Sequence, residues 1–400
     1  MPTADKRRRV LLAWELGGGY GHLHRFMPIV DRLVTEGCEV VLAVQSLETY
    51  DALFRDRGLY PVAAPVLQAA TRPVRIESWA DLAFNAGYTT ADAVLHMVTV
   101  WSAILRDHAI DLVVAEFAPG AVLAARAVGL PSLAIGGGWI LPPPARPLPA
   151  IRFWQPPMDE ALAQSEARLL DVVNAALRSM GTKPLANLGT LFEPQDCCLC
   201  SLPEVDHYAG RGPADYFGTI YNLTEGAVAR WPTGAEPRCF AYLNGAHPAL
   251  RTVLRALATT GWPTILHLRN GPAESTIDSL PSNVWLAPRP LRLDDILTER
   301  PIVICQGLNL STAALVSGCR LLLAPEHLEQ ATLANRIVSQ GLGLALDPKA
   351  DGAQAIATLR QLADDARLQA TVSNFAVRYD GYSPALPVDA IVAECLDRVA

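Results

Sequence analysis

Four hundred residues exceed what one ordinary hydrophobic core organises and suit two domains of about 200 residues each. Half of them are hydrophobic and 18% are charged, a globular balance that excludes an extended disordered chain. A net charge of −7 with scattered basic residues excludes a nucleic-acid footprint, and no window of about 18 unbroken apolar residues is present to span a membrane.

The basic run Lys6-Arg7-Arg8-Arg9 precedes an apolar stretch, Val10 to Trp14, too short for a secretion signal. It reads as a solvated tail before a first strand, residues 9–14. Eight cysteines without such a signal read as reduced thiols, so a cytoplasmic location is expected. The glycines of Gly17-Gly18-Gly19-Tyr20-Gly21 make a turn. Phe26, Ile29, Val30 and Leu33 recur at helical spacing and predict a helix over 25–36, closed by Gly37. Strands follow at 38–44, 112–115 and 132–135, with a helix at 120–128 between the last two. Five prolines make 138–150 a loop, and 158–181 reads as a helix. Cys197-Cys198-Leu199-Cys200 lacks a second Cys/His pair at zinc spacing, and His207 stands isolated, so the run reads as a small buried strand rather than a metal site.

The second half repeats the rhythm. Strands are expected at 240–243, 264–268, 284–286, 302–305 and 321–324. Helices are expected at 248–260, 311–317 and 330–340, and a last one within 384–400. Alternating strands and helices predict an α/β chain of two Rossmann-like, doubly wound parallel-sheet domains. The expected limits are 1–212 and 213–384, with 385–400 a helix packing back on the first domain.

The glycine turn does not complete a dinucleotide fingerprint. His22 stands three positions after Gly19, and Val44 runs into Gln45-Ser46 with no acid closing the second strand. His22 lies at the carboxyl edge of a sheet, where open α/β proteins bind ligands. An imidazole titrates near neutrality and takes a proton from a hydroxyl; the plainer reading is a turn histidine. Glu116 ends the strand 112–115 at the same edge, where a carboxylate fixes a neighbouring imidazole; the plainer reading is a strand-end acid.

The stretch Ile304 to Gly318, with Pro325, Glu329-Gln330 and Asn335-Arg336, resembles the donor-binding signature of GT-B glycosyltransferases. The likeness is to the macrolide and plant natural-product enzymes, and more distantly to the lipid-intermediate enzyme of peptidoglycan synthesis. That signature reads His-Gly-Gly-x-Gly-Thr-x-x-Glu-Ala-Leu-x-x-Gly, then Asp-Gln and an Asn-Ala pair. Gly21-His22-Leu23 is similar to the family's Gly-His-x-x-Pro segment, with Arg25 where Pro is common.

The resemblance implies two domains facing a cleft and an inverting hexosyltransferase using a UDP- or dTDP-sugar, with no metal or cofactor. It places the catalytic base on His22 and the family's partner Asp on Glu116. The turn and helix start Cys305, Gln306, Gly307, Leu308, Asn309, Ser311 and Thr312 would meet the diphosphate through amides and the helix dipole. Asn244-Gly245 would approach the same group, Glu329-Gln330 the sugar hydroxyls, and Arg289 and Leu291 the base. A small apolar acceptor would meet Gly19, Tyr20, Gly21, Trp139 and Trp154. The departures are Cys305 for the signature His, Gln306 for Gly, Asn309 for Gly, Leu310 for Thr, Ala313 for the ribose-binding Glu and Glu329 for Asp. They leave open a catalytically silent sugar-nucleotide-binding partner subunit. They also leave a GT-B sugar-nucleotide epimerase, with Glu326 and His327 as its acid and base.

Overall fold

The computed structural model describes residues 7–18, 21–54, 57, 59, 61–156, 158–271 and 280–399. The chain divides into two compact units, Met1–Ser201 with Tyr208–Ile220 and Ala385–Ala400, and Leu202–His207 with Tyr221–Pro384.

In the first unit the elements run β1 (Arg9–Trp14), α1 (Gly21–Thr35), β2 (Glu39–Val44), α2 (Leu47–Phe54), β3 (Pro61–Ala63), α3 (Trp79–Asn85), α4 (Ala91–Asp107), β4 (Leu112–Glu116), α5 (Pro119–Val128), β5 (Ser132–Gly136), α6 (Asp159–Ser179) and β6 (Cys197–Leu199). The six strands form one parallel sheet ordered β3-β2-β1-β4-β5-β6. Helices cover both faces, so strand side chains are apolar in alternation without a wet side. Val10, Leu12 and Trp14 pack with Leu23, Phe26, Ile29 and Val30 of α1. Leu11 and Ala13 face the other way, onto Met97, Val98 and Trp101 of α4 and Ala121 and Ala124 of α5. Helices α3 and α4 stand outside the set expected from the sequence. Ser78 caps the former with a capping box closed by Asp81, and Thr90 caps the latter. The chain's last helix, Ala385–Arg398, buries Val388, Ile391, Val392 and Cys395 in the cluster that holds α1, and Asp389 accepts from Arg32 Nε at 3.1 Å.

The second unit runs β7 (Cys239–Asn244), α7 (Leu250–Thr260), β8 (Thr264–Arg269), β9 (Val284–Leu286), α8 (Leu293–Leu297), β10 (Ile302–Cys305), α9 (Leu308–Val316), β11 (Leu321–Leu323), α10 (Leu328–Ser339), β12 (Gly343–Ala345), α11 (Gly352–Asp364) and α12 (Ala366–Arg378). Its parallel sheet is ordered β12-β11-β10-β7-β8-β9. In each sheet the strand order reverses beside the first strand, between β1 and β4 and between β7 and β10. Diverging connections there leave a crevice at the strands' carboxyl ends, the usual ligand position of an open α/β sheet.

No helix among the described residues is long and apolar enough to cross a membrane. All eight cysteines are free thiols.

Glu15, one residue beyond β1, falls on the α4–α5 face by the strand's period of two and is wholly buried. Tyr88 donates to its Oε1, while Trp101 Nε1 and the Gly120 amide each donate to Oε2 at 2.9 Å. Burial lifts its carboxyl from 4.5 to about 7, against the pull of those hydrogen bonds. The folded chain therefore holds a proton that the unfolded chain releases above pH 4.5, and stability falls as pH rises from there to about 7. Glu15→Gln copies the protonated acid: its amide nitrogen donates to the Tyr88 oxygen, and its oxygen accepts from Trp101 and Gly120. Urea unfolding is expected to show the variant and parent alike near pH 4.5. At pH 8 the variant is expected to be more stable, by up to about 3 kcal/mol. Equal slopes of stability against pH in the two proteins would refute this account.

Candidate active site

In the first unit the crevice beside β1 holds a linked set of charges. Trp14 and Glu116 are register partners across β1 and β4, so both project to the face that α1 covers. Glu116 is fully buried there. Its Oε1 receives His22 Nδ1 at 2.9 Å and also the Arg25 Nη1 donor, while no described group bonds its Oε2. With Nδ1 donating to the carboxylate, the imidazole's lone pair lies at Nε2. The ring is stacked on Trp14 at 5.5 Å between centroids, and Phe117 stands 6.2 Å away. Gly17, in the left-handed region at φ +80°, makes room for it, because a Cβ there would come within 2.7 Å of His22 Nε2. Phe117 also has a positive φ, 49°, directly after Glu116, and its carbonyl accepts from the Leu16 amide at 2.9 Å. A non-glycine residue in that region costs on the order of 1–2 kcal/mol, and such strain concentrates at functional edges.

An apolar slot opens beside this edge. Trp79, Phe117, Pro119, Ile140, Leu141 and Phe192 line a narrow space of about 20 Å³, room for about one water. Trp139 does not line it; its side chain is half-buried against the core of the α4–α6 face. Trp154 is exposed and stands edge to face with the Phe153 ring at 5.3 Å. Of the other expected acceptor residues, Gly21 opens α1, and Gly19 and Tyr20 lie outside the described residues. The lining residues Trp79 and Phe192 come from segments far apart in sequence, which no local pattern connects.

In the second unit, β10 ends at Cys305 and Gly307 is the N-cap of α9, extended at φ −109° and ψ 161° with no side-chain cap. The helix begins at Leu308, three residues before the expected start at Ser311. Leu308, Ser311, Thr312 and Leu315 form a buried stripe that holds the first turn against the core. The first ladder bond is Ser311 N to Gly307 O, 3.1 Å, so the amides of Leu308, Asn309 and Leu310 have no acceptor within the helix. Cys305, Ser311 and Thr312 are wholly buried, and Cys305 Sγ lies 3.3 Å from Ser311 Oγ. They present no surface to a ligand; the groups at the helix mouth are the amides of 308–310. Burial, offset only in part by Ser311, pushes the Cys305 thiol up to about 12.

The remaining expected donor residues are largely occupied by the protein itself. Asn244 Oδ1 accepts from the Ala246 amide at 3.2 Å. Gly245 is dictated by packing, since a Cβ would lie 1.8 Å from the Gly271 carbonyl oxygen. Gln306 Nε2 donates to Glu326 Oε2 at 3.3 Å, and Gln330 Oε1 accepts from the Glu326 amide at 2.8 Å. Glu329 Oε1 is 3.0 Å from His207 Nε2. His327 Nδ1 is 3.9 Å from the other Glu329 oxygen. Arg289 is exposed and Leu291 is a core residue. His247, which the sequence reading does not single out, accepts from the Ala249 amide at Nδ1 and donates from Nε2 to Ala324 O, each at 3.0 Å. It thereby fastens the start of α7 to the end of β11 at the β7/β10 crevice.

No family model matches the chain, and no curated protein matches its sequence. Solved structures match over nearly its whole length. CalG4, the calicheamicin glycosyltransferase, superposes with a TM-score of 0.73 at 20% identity, covering 99% of this chain and 100% of that one. The glycotransferase of kitacinnamycin gives 0.74 at 19% identity, with 99% and 100% covered. The glycosyltransferase VinC, solved with dTDP, gives 0.66 at 18% identity, with 98% and 99% covered. The likeness is one of fold: this chain has the two-domain GT-B architecture of those glycosyltransferases, two six-stranded parallel sheets flanked by helices.

Proposed function

We propose that the chain is an inverting glycosyltransferase that moves a hexose from a UDP- or dTDP-sugar to a hydroxyl of a small apolar acceptor. The observation that carries this reading is the His22–Glu116 pair at the β1/β4 crevice, 2.9 Å apart, beside the apolar slot. Nδ1 is held by the carboxylate, so Nε2 accepts the proton as the acceptor oxygen attacks the anomeric carbon. The bond from that carbon to the diphosphate oxygen breaks as the new glycosidic bond forms, with inversion. The amides of Leu308, Asn309 and Leu310, at the positive end of α9, receive the departing diphosphate charge. The solved neighbours support the reading, since their names carry glycosyl transfer and one holds dTDP.

A second reading, a silent sugar-nucleotide-binding homologue, draws support from Ala313, buried where the family's signature has its ribose-binding Glu. Turnover separates the two. Incubation with UDP-glucose or dTDP-glucose and a hydroxylated aromatic acceptor such as 4-methylumbelliferone should yield glucoside. His22→Ala is expected to lose about 100- to 10,000-fold in kcat while calorimetry finds donor affinity unchanged. A parent protein that binds nucleotide and never turns over would favour the silent homologue; a His22→Ala variant as active as the parent would remove the base.

The helix mouth has its own test. Leu308 is the first helical residue and Gly307 before it is extended, so proline fits the backbone and deletes one amide donor. Leu308→Pro is expected to weaken UDP and dTDP binding about tenfold or more, the worth of one charge-assisted hydrogen bond, with an unchanged far-ultraviolet spectrum. Undiminished nucleotide affinity in a folded variant would move the diphosphate elsewhere.

A further inference from the structure

Two departures from the resembled motif stand in contact: Arg25, where Pro is common, and Glu116, where the acid is Asp. Arg25 lies one turn after His22 on α1, is 7% exposed, and donates through Nη1 to the carboxylate oxygen that holds His22 Nδ1. We propose that Arg25 is a positioning residue for His22, acting through Glu116; the inference rests on the reading of His22 as the base. A fully buried carboxylate stays ionised only with a compensating charge or donors, and Arg25 supplies both. Its guanidinium also offsets the carboxylate's pull on a proton at the imidazole. The ring is thus oriented by Glu116 while the guanidinium balances the carboxylate's charge. In a dyad without the arginine, the imidazole and carboxylate together retain a proton to higher pH, and the base is blocked.

The other charged groups around the pair are few. Cys200, just past β6, interacts with both Arg25 and Glu116, and burial pushes its thiol up to about 11, so it stays neutral. Glu15 lies on the opposite face of the sheet, bound to Tyr88, Trp101 and Gly120. On the last helix, which packs on α1, Asp389 is paired with Arg32 and Glu394 with Arg398. His24 is exposed. No second cation within the described ion pairs reaches Glu116.

Histidine-resolved NMR titration of the full chain tests this directly, beside the pH profile of kcat/KM with UDP-glucose and 4-methylumbelliferone. Arg25→Met is expected to raise the His22 titration midpoint by about one pH unit, a tenfold change in proton affinity. The acid limb of kcat/KM should move with it, and Arg25→Lys should restore both most of the way. Where Arg25→Met does not fold, Arg25→Gln keeps a hydrogen-bond donor beside the carboxylate without the cation, and its His22 midpoint should rise in the same direction. A merely structural arginine would lower the melting temperature and leave every midpoint in place, and that result overturns the inference. His22→Ala separates the two ideas. Turnover retained in that variant sinks the base and the inference together, whereas His22-dependent turnover with midpoints blind to Arg25 sinks the inference alone.

Discussion

A carboxylate sealed inside a protein must be compensated where it stands, because water no longer solvates it and neutralisation by a proton is the alternative. Glu116 meets that requirement with a single oxygen that receives both an imidazole and a guanidinium. Much of the first unit's local geometry follows from this junction. β4 ends at Glu116, α1 begins so that its first turn carries His22 and its second Arg25, and Gly17 yields the space the ring occupies. Trp14 closes the ring from the sheet side, and the left-handed Phe117 turns the chain away immediately after the acid.

The scaffold beneath the junction is set by parallel strand order. Both sheets reverse direction of growth beside their first strand, so both open a crevice at the carboxyl ends of two central strands. The two units fill that crevice with different chemistry. The first fills it with side chains: an imidazole, a carboxylate and a guanidinium held in fixed array. The second leaves main-chain amides at the start of α9 and ties its polar side chains into one another, Gln306 to Glu326, Gln330 to the Glu326 amide, Glu329 to His207.

What the sequence made legible follows from range. Strand β1 is bounded as expected, residues 9–14, because a short apolar run between a charged run and a glycine turn has one reading. The same holds for β9 at 284–286 and β10 at 302–305. The stripe Val94, Met97, Val98, Trp101 and Leu105 was equally periodic, yet α4 lies outside the expected set, although Thr90 and Asp92 supply an N-terminal signal. The start of α9 was misplaced because Asn309 and Leu310 resemble loop and Ser311 resembles a cap; burial of Leu308 decides otherwise. In the site, strand ends put His22 and Glu116 on one edge. Arg25 could not be joined to them, since its partner is 91 residues away and an arginine at helical spacing ordinarily faces water. Trp79 and Phe192 were hidden for the same reason, and Glu15 because an acid after a strand gives no sign that three donors await it.

A site made of amides and a site made of side chains respond differently to substitution. An amide is present whatever residue carries it, so the mouth of α9 keeps its donors with cysteine at 305, glutamine at 306 and asparagine at 309, provided the helix starts where it does. The constraint there is conformational: Gly307 must be extended and Leu308 must be buried. At the other crevice each atom is owned by one residue, and a change at one forces a change at its neighbour. Glutamate at 116 and arginine at 25 illustrate this, since the longer acid alone would leave a buried charge and the arginine alone would leave a buried cation. The pair is stable only as a pair, which is why departures that look independent along the sequence are a single structural event.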